Sequence, residues 1–160
     1  MTAAARALRH AQRGSVSLEF AVAGPVLLFL IFAIIENGLM LFAGAVLDNA
    51  TRTASRQIMI GSVTTSAAFR AAICNGVTPF FDCTRLQFNV QAGTAFPAGV
   101  QAPSSNGSFS NASFATGSAG QFVLIEVAYD RAYISPWIIS IAGSGQVLLS
   151  VQAFQNEPFS

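Results

Sequence analysis

The sequence predicts an α+β protein: a long N-terminal membrane-spanning helix that continues into a small head with an antiparallel sheet. Three observations predict it. Residues 20–35 form an apolar run without a single charge. Beyond Asn37 the apolar positions recur at three- and four-residue steps, the mark of a one-sided helix. Further on, three segments alternate with the period of two that a strand requires. The organisation that follows is a leader at 1–14, a transmembrane and docking helix at 15–61, and an α+β head at 62–160.

Each element can be justified in order. The leader carries Arg6, Arg9, His10 and Arg13 and no acid. Basic residues just before an apolar span hold that end in the cytoplasm, so the head faces outward. An ordinary secretory signal is the alternative, and Ala43-Gly44-Ala45 supplies small residues for its cleavage. The apolar stretch is longer than the 7 to 15 residues of a typical signal core, however, so a retained helix is expected. From Phe20 to Ile35 is 16 residues, about 24 Å of helix. That is short of the roughly 30 Å hydrocarbon core, so the span begins near Ser15 or continues past Glu36 into Leu39–Phe42. Pro25 removes one helical bond and predicts a bend.

The second half of the helix is read as docking a stripe of Leu39, Ala43, Val46, Ala50, Ala54 and Ile58. Asp48, Arg52 and Arg56 form a polar row elsewhere on it, with Asp48 ahead of Arg52 in the favourable order. Gly61 is the expected stop. Thr64, Thr65 or Ser66 can cap a short helix over Ala67–Cys74, which Asn75-Gly76 is expected to end. Leu86, Phe88 and Val90 alternate with Gln87, Asn89 and Gln91 as a half-buried strand. Residues 93–120, rich in glycine, serine, alanine and asparagine, read as a long surface loop. In the strand Gln121–Tyr133, Val123, Ile125, Val127 and Tyr129 face one way. A third strand, Gln146–Phe154, alternates through Val147, Leu149, Val151 and Ala153. The apolar loop Ile134–Gly145, with Trp137, either touches a membrane surface or a partner, or fills the head's own core.

Composition narrows the function. Charged residues are only 9% and hydrophobic ones 52% of the 160, and the net charge is +1. That balance offers no electrostatic case for nucleic acid. Cys74 and Cys83 lie nine positions apart; in an exported domain such a pair reads as a small-loop disulfide, the alternative being two free buried cysteines. Zinc would need more ligands, since the only histidine is His10.

Gly14, four residues, then Glu19-Phe20 before an apolar helix resembles the processing site of type IV prepilins. More closely, RGSVSLEFAVAGPVLLFLIFAIIENG (13–38) and ATRTASRQIMIG (50–61) resemble the TadE-like pseudopilins of the tight-adherence, or Flp, pilus. The cysteine pair and Glu157-Pro158 fit more loosely. The resemblance implies a pilin-like head and a leader cut after Gly14 by a prepilin peptidase, leaving Ser15 as the new N-terminus. It also implies assembly through Glu19 and Phe20, and a protein of the bacterial inner membrane with its head in the periplasm. Its partners would be that peptidase, other pilins and pseudopilins, the Tad inner-membrane assembly platform and membrane lipid.

The residues themselves support roles for these positions. Glycine lets a peptidase approach the backbone closely. A carboxylate at Glu19 can neutralise the new Ser15 amine, in its own chain or a neighbour's, within lipid; otherwise Glu19 is simply solvated at the interface. Glu36 either marks the outer interface, as Asn37-Gly38 suggests, or pairs with a partner helix. Asp48, Arg52 and Arg56 read as a solvated row rather than a docking surface. No enzyme is expected, and no cofactor: cleavage would leave no histidine, the chain has no lysine, and Asp82, Glu126 and Asp130 form no recognisable constellation. The alternatives are a surface-exposed adhesin-like module, binding through the 93–120 loop, and an uncleaved single-pass component of the secretion apparatus.

Overall fold

A computed structural model of the chain describes residues 16–97 and 99–158 with their side chains, and residues 3–15 as backbone alone. The chain divides into two compact units, Met1–Gly38 and Leu39–Ser160, and each is taken by itself. The first helix, α1 (Ala3–Met59), contributes to both and runs unbroken through Pro25.

In the first unit the large apolar side chains of α1 are exposed on every side, Phe20 at 78% and Ile34 at 71%. A helix apolar all round has no single stripe to dock, and is at home in lipid or in a deep core. Val16–Met59 is long and apolar enough to cross a membrane, and none of its most apolar window is buried. Within residues 16–38 Glu36 is the exception, being buried.

In the second unit α1 docks a true stripe: Met40, Ala43, Leu47, Ala50, Ala54 and Ile58 are buried. This corrects the expected stripe at two positions, since Leu39 is exposed and Val46 only partly buried. The face is centred nearer Thr51 and Ser55, which are buried as well. Their hydroxyls bond the carbonyls four residues back, Leu47 O at 2.8 Å and Thr51 O at 2.7 Å, so both can enter the core without an unmet donor. Gly61, at φ +72°, ends the helix as expected, with Ser62 N–H donating to Gln57 O at 2.9 Å.

The second helix, α2 (Ser66–Val77), is capped by Thr65, whose side chain accepts from Ala68 N at 3.3 Å. It does not end at Asn75-Gly76. A Cβ on Gly76 would stand 2.9 Å from the Cβ of Ala50, so this glycine lets α2 approach α1 rather than stopping the helix. A 3-10 turn (Cys83–Arg85) leads into β1 (Leu86–Gly93), and then follow β2 (Phe122–Ala132), α3 (Pro136–Ala142) and β3 (Gly145–Gln155). The strands form an antiparallel sheet in the order β1-β2-β3. The α+β expectation is therefore met. The short helix α3 lies where only a loop was expected.

One sheet face carries Val90, Val123, Ile125, Val127 and Tyr129 against α1 and the Phe69, Ile73 and Val77 face of α2. Phe69 seals this layer, meeting Phe88 edge-on at 5.3 Å and Phe114 at 5.8 Å. On β3 the core face is Leu148, Ser150, Gln152 and Phe154, paired with Tyr129, Val127, Ile125 and Val123. The more apolar set, Val147, Leu149, Val151 and Ala153, therefore lies on the opposite face. The inversion has a cause: Ser150 Oγ and Gln152 Nε2 donate to Asp48 Oδ1 of α1 at 2.9 and 3.0 Å.

The long connection between β1 and β2 is not a free surface loop. It crosses the second sheet face and covers its β1–β2 part, leaving Leu149 and Ala153 of β3 exposed. Ser113 N–H donates to Asn89 Oδ1 at 2.9 Å, Gln101 N–H donates to Glu126, and Phe109 is buried. Val90 N–H donates to Ser113 O, and Ala115 N–H to Val90 O, both at 2.9 Å, so this stretch also borders β1. That is why Val123 to Tyr129 is buried without a break.

Candidate functional site

The residues expected to carry processing and assembly lie on α1. Gly14 and Ser15 fall outside the residues described with their side chains. Glu19 and Phe20 are exposed on the helix. Glu19 shares a shallow apolar face with Leu18, Val22, Ala23, Val26, Leu27 and Leu30. One carboxylate set among leucines and valines on an uncovered helix is suited to pairing with a cation once a second apolar surface excludes water.

The head's expected feature is confirmed: Cys74 and Cys83 form a disulfide, with Cα atoms 5.9 Å apart. It ties the last turn of α2 to the 3-10 turn that starts β1. Sequence reasoning missed what surrounds it. Arg70 donates to Cys83 O at 3.0 Å and Leu86 O at 2.8 Å, and its guanidinium lies 4.9 Å from the centre of the Phe88 ring. Tyr129 Oη accepts from Asp82 N at 3.1 Å. These bonds hold the disulfide loop against the sheet.

The acids that looked isolated each have a structural partner. Glu126, fully buried, accepts from Asn89 Nδ2 at 2.7 Å and from the Gln101 amide. Asp130 pairs with Arg85 at 2.7 Å. Asp82 accepts from the Thr84 hydroxyl at 2.7 Å and the Thr84 amide at 2.9 Å, which hold its carboxyl below the usual range; the Arg85 charge adds to this. The cross-strand pair Asn89 and Glu126 is legible only once register is known. Asp48 likewise does more than line a solvated row, because it joins α1 to β3; Arg52, 3.4 Å from Asp48, and Arg56 remain exposed.

A helix segment apolar on all sides, in a chain with a disulfide-linked α+β unit, is compatible with a single-pass membrane protein. Residues 14–56 match the family model described as TadE-like protein, so the chain is similar to that family through this segment. The match includes Gly14, Glu19 and Phe20 and stops within α1, so the whole of residues 62–160 lies outside it. No curated protein and no solved structure matches the chain.

Proposed function

We propose that this protein is a membrane-anchored pseudopilin that supports assembly of a Tad, or Flp, pilus and acts without catalysing a reaction. The observation that carries this reading is the exposed, all-round apolar stretch of α1 with Glu19 near its start, inside the TadE-like segment. Residues 1–14 are a cytoplasmic leader removed by a prepilin peptidase after Gly14. The Ser15 amine so created is cationic, and Glu19 of the same or a neighbouring chain neutralises it in lipid. Apolar helices then pack side by side, Glu19 sets their register, and the periplasmic head selects among other pilins, pseudopilins and the assembly platform.

Intact-mass analysis and N-terminal sequencing of membrane-extracted protein test this in cells with and without the prepilin peptidase. A mature chain beginning at Ser15 only when the peptidase is present is expected. A chain that keeps its leader in both strains would leave an uncleaved single-pass anchor instead. The role of Glu19 is tested separately: Glu19→Gln should retain cleavage and lose pilus assembly.

A further inference from the structure

The second unit carries an uncharged apolar surface at one end. The connection from Tyr133 to Ser144 has no charged residue. Its side chains point out: Ile134 is 65%, Trp137 60% and Ile141 76% exposed. Such a cluster is costly in water unless something covers it.

The register shows which end this is. Asp48 of α1 bonds Ser150 and Gln152 of β3, while Glu157 N–H, just past β3, donates to Met59 O. Strand β3 and helix α1 therefore run in the same direction. Gly145 precedes Ser150 by five residues, about 16 Å of strand toward the Leu39 end of α1. Phe42 of α1 and Phe80 also stand at this end, their rings 5.5 Å apart and both about half exposed. Phe81, next to Phe80, packs on Tyr129 near the end of β2. So the apolar β2–β3 connection, Phe80 and Phe42 all lie where the chain enters this unit from its apolar run at 20–35.

We infer that this end of the head is a lipid-facing sole, whose Ile134, Trp137, Ile139 and Ile141, with Phe42 and Phe80, enter the interfacial layer of the bilayer. The inference rests on the membrane-anchor reading of α1. Continuity with that apolar run selects lipid as the occupant. The residue types agree: tryptophan and tyrosine favour the headgroup level.

Trp137 is the sole tryptophan, so the wild-type chain carries its own probe. The full chain is reconstituted into phospholipid vesicles, floated on a density gradient, and its emission quenched by nitroxide lipids or by aqueous acrylamide. The expected result is flotation, loss of most Trp137 emission with a nitroxide near the headgroup end of the acyl chain, and little loss with acrylamide. The pair Ile139→Asp and Ile141→Asp should still float, but with acrylamide quenching restored. Flotation with strong acrylamide quenching of the wild type would overturn the sole and leave the anchor standing. Flotation with protection from both quenchers would assign the patch to a protein contact and overturn it too, as would a double variant that stays lipid-quenched. A chain that does not float removes the anchor reading, and the sole with it.

Discussion

Between Val16 and Gly38, α1 exposes Phe20, Ile34 and most of their neighbours; between Leu39 and Met59 it buries Met40, Leu47 and Ile58 with three alanines between them. The difference lies less in how apolar the residues are than in how size and polarity are distributed around the helix. The first stretch is bulky on all sides and offers no groove for another layer of its own chain. In the second, Ala43, Ala50 and Ala54 let α2 and the sheet approach closely, Asp48 ties the helix to β3, and Arg52 and Arg56 stay exposed. Burial by the chain itself needs a stripe; burial by lipid or neighbouring helices does not.

The comparison breaks most sharply at two phenylalanines. Phe69→Ala should destabilise the head by about 3 to 5 kcal/mol, because it empties the centre of the core. Phe20→Ala removes as large a ring, yet should leave head stability unchanged within about 0.5 kcal/mol. Urea unfolding in detergent, followed by Trp137 emission and circular dichroism, measures both. Equal losses would mean that the two stretches are not energetically separate.

Next in size is the disulfide. Its nine-residue separation implies a loss of about 2 to 3 kcal/mol when Cys74→Ser and Cys83→Ser are combined, from the entropy regained by the unfolded chain. Reduction of the wild type should produce the same shift in the unfolding midpoint. Gly76→Ala comes third, at about 1 to 2 kcal/mol, as the clash with Ala50 exceeds the gain in helix propensity. Ala50→Gly in the same chain should recover part of that loss. If Gly76→Ala proves stabilising, the close approach of α2 to α1 is not a constraint.

Much of this architecture could be read in advance, for identifiable reasons. Three strands and the docking half of α1 announce themselves by period, α2 by its capping residue, and the end of α1 by Gly61. The cysteine pair was legible because its spacing allows a short loop. Gly76 misled because a glycine after asparagine normally signals a helix end, and nothing local reveals that Ala50 lies against it. The facing of β3 was hidden for a related reason. Val147, Leu149 and Val151 look like a core set, but Asp48, about a hundred residues earlier, draws Ser150 and Gln152 inward. The cover over Asn89 and Glu126 was invisible because residues 93–120 have the composition of a solvated loop, and the bonds from the Ser113 and Gln101 amides are ones that no side-chain pattern encodes. At the candidate site, Glu19 stood out as a lone acid in an apolar run.

The smallest expected effect concerns acid. Asp82 is exposed, so its contribution should be small, and its loss in acid is what should reveal it. The Thr84 hydroxyl, then the Thr84 amide, hold the folded carboxyl below its ordinary value of 3.8, and Arg85 adds to the shift. A depressed folded pKa stabilises the native state above the unfolded value, and that contribution is lost as pH falls through the folded one. The stability difference between the wild type and Asp82→Asn should therefore be constant at neutral pH and shrink only below about pH 4. Thr84→Val, which removes the hydroxyl and keeps the amide, should reproduce the larger part of that change. Parallel urea midpoints from pH 3 to 7 check the assignment: a difference that stays constant to the acid end would mean Thr84 does not hold this carboxylate in solution.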